Sequence, residues 1–146
     1  METITSINSL IVINNDRFEG YKKAAEETKD EDLRSLFTRY SIQSKGWGEE
    51  LRKFVDKEEE PDRDETTNTG KMYRAWMDIK SAITGHNRKA ILQSCEYGED
   101  VAKKTYDEVL EHSGDLPAEA LDLVRKQRSE LQKAHDEVKA LRDASK

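Results

Sequence analysis

The chain has 146 residues and a formal net charge of −6, with 38% of its residues charged and 34% hydrophobic. Leu, Ile, Val and Phe together supply only 28 residues, few enough to raise the question of disorder. Because 31 acids nearly cancel 25 bases, self-repulsion does not settle that question, and the periodicity of the apolar residues has to. The acidic balance argues against nucleic acid, which requires a clustered cationic face. No run approaches the roughly 18 apolar residues of a membrane span, and the N-terminus lacks a basic–apolar–small leader pattern. Cys95 is the single cysteine, which excludes an internal disulfide and a Cys-based zinc site. A cytoplasmic protein of one domain, residues 1–146, is expected.

The first segment answers for order. Ile4, Ile7, Ile11, Asn14, Phe18, Tyr21, Ala25 and Thr28 fall at alternating steps of three and four, which predicts a helix over 3–28. Thr28 and Glu31 have capping-box spacing, with Asp30 as an alternative cap. A second helix is predicted over 31–57, with Leu33, Leu36, Phe37, Tyr40, Gln43/Ser44, Trp47, Leu51 and Phe54 on its seam. Pro61 and the Thr66–Gly70 stretch end it. From Lys53 to Glu65 seven acids stand against three bases, which reads as a solvated connection. A short apolar helix over 70–84 carries Met72, Tyr73, Trp76, Ile79 and Ile83, and Gly85–Asn87 closes it. The third long helix, 88–112, shows Leu92, Cys95, Glu99, Ala102, Tyr106 and Val109 on one face. Pro117 opens the last, 117–143, whose seam reads Leu121, Val124, Arg128, Leu131, His135, Val138.

Four helices of about 25 residues, each about 37 Å long at 1.5 Å per residue, predict an all-α four-helix bundle. Short turns make the first and last pairs antiparallel. The long middle connection, with its extra helix, crosses the bundle and makes the second and third long helices parallel, a ferritin-like arrangement. Gly46, Gly48 and Gly98 lie inside helices, where each costs about 1 kcal/mol relative to Ala. Close approach of a backbone, or of the Trp76 ring, is the expected reason; a small-molecule pocket behind them is the other.

Each long seam is interrupted by a polar residue near mid-height: Asn14, Gln43, Glu99, and Arg128 with His135. Carboxylate-bridged di-metal bundles use such a layer, taking Glu-x-x-His from two of their helices. This chain has no Glu-x-x-His; the nearest match is Gln132–Lys133–Ala134–His135. The expected arrangement is a Glu99–Arg128 ion pair, with Asn14, Gln43 and His135 satisfying the remaining hydrogen bonds. The competing one is a single iron, manganese or zinc ion held by Glu99, His135, Glu96 and Gln132. Cys95 reads as a small buried hydrophobe rather than a nucleophile.

Glu19–Gly20–Tyr21 with Ala24–Ala25–Glu26, Trp76–Met77–Asp78–Ile79–Lys80, Glu96–Tyr97–Gly98–Glu99–Asp100 and Ala134–His135–Asp136 together carry a resemblance. The chain resembles a bacterial family of ferritin-like four-helix proteins of unknown function, over nearly its whole length. The resemblance implies the fold and no activity. Against metal-binding ferritins, Asn14 stands where the first-helix Glu precedes a Tyr by seven residues. Gln43–Ser44–Lys45–Gly46 lacks both ligands of the second helix, Glu99 fits the third, and only His135 of the fourth motif is kept. A non-enzymatic structural or interaction protein without cofactor is therefore expected. Met72, Tyr73 and Trp76 suggest a homo-oligomer, and a degenerate metal-dependent oxidoreductase is the alternative.

Overall fold

A computed structural model describes residues 2–55 and 71–145, with side chains from 7 to 55, 76 to 114 and 116 to 145. The described residues are all-α: α1 (Glu2–Glu27), α2 (Glu31–Arg52), the shorter α3 (Lys71–Thr84), α4 (Arg88–Glu111) and α5 (Ala118–Ala144). No strand occurs among them. The acidic run after Val55, and the side chains of Met72 and Tyr73, lie outside the described residues.

The helix ends follow local chemistry, with some departures from expectation. Asp30 is the N-cap of α2, yet its side chain makes no capping bond. Its carboxylate faces Arg88 at 3.4 Å, while its N–H donates to the Thr28 hydroxyl at 3.3 Å. Helix α2 stops at Arg52, short of the expected 57, where Phe54 and Val55 form i→i+3 bonds to Leu51 and Arg52 and tighten the chain. At the end of α3 the N–H groups of His86 and Asn87 bond the carbonyls of Ile83 and Ala82, a Schellman closure. Its left-handed position is held by His86 (φ 55°), a place glycine fills at lower cost, while Gly85 stands one residue earlier. Asn87 then caps α4 by accepting from the Ala90 N–H at 3.0 Å. Pro117 is the N-cap of α5 rather than its first residue.

Helix α1 packs on α2, α3 and α4, and α5 packs on α4 and α2. Cross-helix bonds give the directions. Tyr21 and Arg17 meet Glu99 while Asn14 meets Tyr106, so α1 and α4 run antiparallel. Tyr40 meets Ala134 while the Trp47 carbonyl meets Gln127, so α2 and α5 do too. With α1 and α2 joined by a tight turn, α2 and α4 run parallel across the long connection that contains α3.

Two apolar clusters form the core. One gathers Tyr21, Leu33, Phe37, Tyr40, Ile79, Ile83, Leu92 and Val138, among others. The other gathers Ile7, Leu10, Ile11, Leu51, Tyr106, Val124 and Leu131, among others. Between them sits a polar layer.

Candidate functional site

Helix α1 brings Arg17 into this layer because residues 14, 17, 21 and 24 share one face at steps of three and four. Its side chain is only 2% exposed, and that of Glu99 on α4 only 1%. The two form a bidentate pair: Arg17 Nε donates to Glu99 Oε1 at 2.8 Å and Nη2 to Oε2 at 3.2 Å. Arg17 Nη1 donates to the Ser44 hydroxyl of α2 at 2.8 Å, and the Tyr21 hydroxyl donates to Glu99 Oε1 at 2.7 Å. The guanidinium also lies 5.4 Å from the ring centre of Tyr21 and 5.1 Å from those of Tyr40 and Trp47, within cation–π range of all three. Every strong donor and acceptor of the pair thus has a partner, as a buried charge requires.

The electrostatics are those of a closed ion pair. Burial works to lower the Arg17 pKa, but the charge and hydrogen bond of Glu99, together with Tyr21 and Tyr106, outweigh it and the pKa rises, so the guanidinium stays protonated. Burial, then Glu99, pushes the Tyr21 hydroxyl well above the phenol range and keeps it a donor. Burial, then Glu99, likewise pushes the Cys95 thiol up, which leaves it a neutral thiol with no nucleophilic character. Beside the pair a cavity of about 20 Å³ is lined by Gly20, Tyr21, Trp76, Cys95, Gly98 and Glu99. Its volume is that of one water.

A second network lies one turn away. Asn14 Nδ2 donates to the Leu10 carbonyl and to the Tyr106 hydroxyl, both at 2.8 Å. Tyr106 donates to Gln127 Oε1 at 2.6 Å, and Gln127 Nε2 reaches the Trp47 carbonyl at 3.3 Å. Four helices are tied together by these neutral groups.

The expected polar layer is therefore rearranged. Glu99 and Asn14 are in it, but the partner of Glu99 is Arg17 and not Arg128. Arg128 lies on the rim, paired with Asp107 at 2.7 Å and with Gln132 at 3.1 Å. Gln127, one residue earlier, takes the inward place. Ser44 (1% exposed) rather than Gln43 faces the centre, and Gln43 Oε1 is buried without a hydrogen-bond partner. His135 sits on the α4–α5 seam, with Nε2 3.0 Å from Asp100 and 3.7 Å from Glu96 and Nδ1 3.2 Å from Asp136. Glu96 is itself bound by Arg142. The glycine expectation also shifts: a Cβ at Gly20 would touch the Trp76 ring at 3.7 Å, whereas one at Gly46 or Gly48 would meet nothing within 4 Å.

These residues do not fit a metal centre of the carboxylate-bridged kind. Both oxygens of Glu99 are engaged by Arg17, and a second cation would have to displace a guanidinium already in place. The expected ligands Glu99, His135, Glu96 and Gln132 are divided between the centre and the α4–α5 seam. Among the described residues no group of three or more His, Cys, Asp or Glu side chains is arranged to hold an ion.

Nor is any helix among the described residues long and apolar enough to cross a membrane. The family described as a domain of unknown function (DUF2383) matches residues 2–112, from α1 to the end of α4. No curated protein matches the chain.

Proposed function

The chain belongs to the DUF2383 family, and we propose that it is a non-enzymatic, cytoplasmic structural or interaction protein with a ferritin-like four-helix bundle. In this reading the bundle's mid-height site is closed by the protein's own cation. Antiparallel neighbours, parallel α2 and α4, and a connecting helix packed on α1 support the ferritin-like assignment. The observation that carries the functional reading is the Arg17–Glu99 pair. A guanidinium held by both carboxylate oxygens, a serine hydroxyl and three aromatic faces stands where a metal-using bundle places its ions. Such a pair adds little net stability over apolar packing but fixes which helix faces meet.

Self-association is the interaction proposed. Trp76 packs on the chain's own core, so the support comes from Met77 on α3 and Tyr97 on α4, each 43% exposed on neighbouring helices. Two measurements test the reading. Calorimetric titration with Fe²⁺, Mn²⁺ and Zn²⁺ should give no stoichiometric binding, and one equivalent lost in Glu99→Ala would replace it with a metal-binding one. Sedimentation equilibrium at tens of micromolar should show a dimer or larger, and a monomer would remove the self-association part.

A further inference from the structure

A groove of about 170 Å³ lies along α1 and α2, lined by Asn15 and Phe18 of α1 and Lys45, Gly48, Glu49 and Arg52 of α2. Two features of it have no structural explanation in the packing, and a third suits an anion with an apolar group. Arg52 is nine-tenths buried, yet its Nη1 has no hydrogen-bond partner, an expensive state for a charged donor. Gly48 is a buried residue inside a helix, where glycine is unfavourable, and no neighbour would touch a Cβ placed there. Absence of a side chain at 48 keeps the groove open and serves no close approach. Finally, the half-buried Phe18 ring has cations near it, with Lys22 Nζ at 5.7 Å and Lys45 Nζ at 6.0 Å from its centre.

We propose that this groove binds a small organic anion, a phosphate or carboxylate carried on an apolar group. The anionic end accepts from Arg52, whose guanidinium turns toward the groove to use its unpartnered nitrogen, and from Lys45. The apolar end lies against Phe18 in the space that Gly48 leaves. Glu49 on the rim disfavours a ligand with more than one separated charge cluster, because the second would meet a carboxylate. The inference is independent of the reading of Arg17 and Glu99, whose contacts it does not use.

The test is titration of the ¹⁵N-labelled full chain with phenyl phosphate, with inorganic phosphate and benzyl alcohol as separate arms. Saturable shifts confined to residues 15–22 and 45–52 are expected for phenyl phosphate, with weaker binding of either fragment alone. Arg52→Met should weaken binding by about tenfold or more, the equivalent of one lost charge-assisted hydrogen bond. Gly48→Leu should fill the groove and abolish it. Gly48→Leu should melt at or above the wild-type temperature, since it removes a helical glycine, and Arg52→Met should stay folded, since the Nη1 it removes has no partner to lose. Shifts scattered over the surface, inorganic phosphate binding as well as phenyl phosphate, or undiminished binding by either folded variant would overturn the proposal.

Discussion

Replacing Arg17 by Met should be among the most destabilising single changes in this protein. The substitution keeps much of the apolar volume but leaves Glu99, with its side chain 1% exposed, holding one donor, Tyr21, in place of three hydrogen bonds and a counter-charge. Removing one partner from a buried pair costs about 3–5 kcal/mol, because the remaining charge stays desolvated. Against a total stability on the order of 10 kcal/mol that is a large fraction. For a chain of this size it corresponds to a fall in Tm of about 6–20 °C. Urea unfolding followed by circular dichroism measures it directly, with the slope checked to exclude a changed unfolded state. The double variant Arg17→Met/Glu99→Leu should regain most of the loss, since an apolar pair of similar volume replaces a buried ion pair at little or no cost. A single-variant loss below ~1 kcal/mol, or a double variant no better than the single, would refute the account of a closed, desolvated pair.

Other outcomes follow from the same geometry. Arg128→Ala should cost less than about 1 kcal/mol in the same assay, because its partner Asp107 is half exposed and the pair is a rim contact. His86→Gly should raise stability by about 0.5–1 kcal/mol, since glycine takes the left-handed position without a Cβ penalty. In acid, Asp32 is held below its usual value of 3.8 by the hydrogen bond from Arg88. Glu137 is held below 4.5 because bonds from Tyr40 and Arg39 outweigh the opposing effect of burial. Carboxyls depressed in the folded state stabilise it above their unfolded values and lose that contribution as pH falls through the folded ones. The urea midpoint should therefore be flat down to about pH 5 and fall below about pH 4, less steeply in Arg88→Met.

The helices were legible in the sequence because each long segment repeats its apolar residues at the helical period and carries its breakers at the ends. The site was legible only in part. On α1 the choice between Arg17 and Phe18 goes to Phe18 on hydropathy, and the structure buries the arginine and leaves the phenylalanine half-exposed. Adjacent residues differ by about 100° around a helix, so both border the same seam and spacing does not separate them. A similar slip occurs on α5, where Val124, Leu131 and Val138 are buried as the seam expects, but Ala120, Gln127 and Ala134 complete the buried face in place of Leu121, Arg128 and His135. Alanines carry little hydropathy, so the apolar pattern does not mark Ala120 and Ala134, which the structure buries. One signal was available: Glu99 on an apolar face needs a cation on a facing seam, and Arg17 completes the 14–17–21–24 progression. Which arginine answers that need depends on helix order in space, which no single helix records.

The central claim is that a protein guanidinium, bound to Glu99, fills the middle of the fold. The ¹⁵N–¹H signal of Arg17 Nε tests it most directly, assigned by its loss in Arg17→Lys. The account predicts a resolved resonance, shifted from those of surface arginines, slow to exchange with water and unmoved by excess Zn²⁺. A signal that exchanges as fast as the surface arginines, or that shifts on adding one equivalent of zinc, would contradict it.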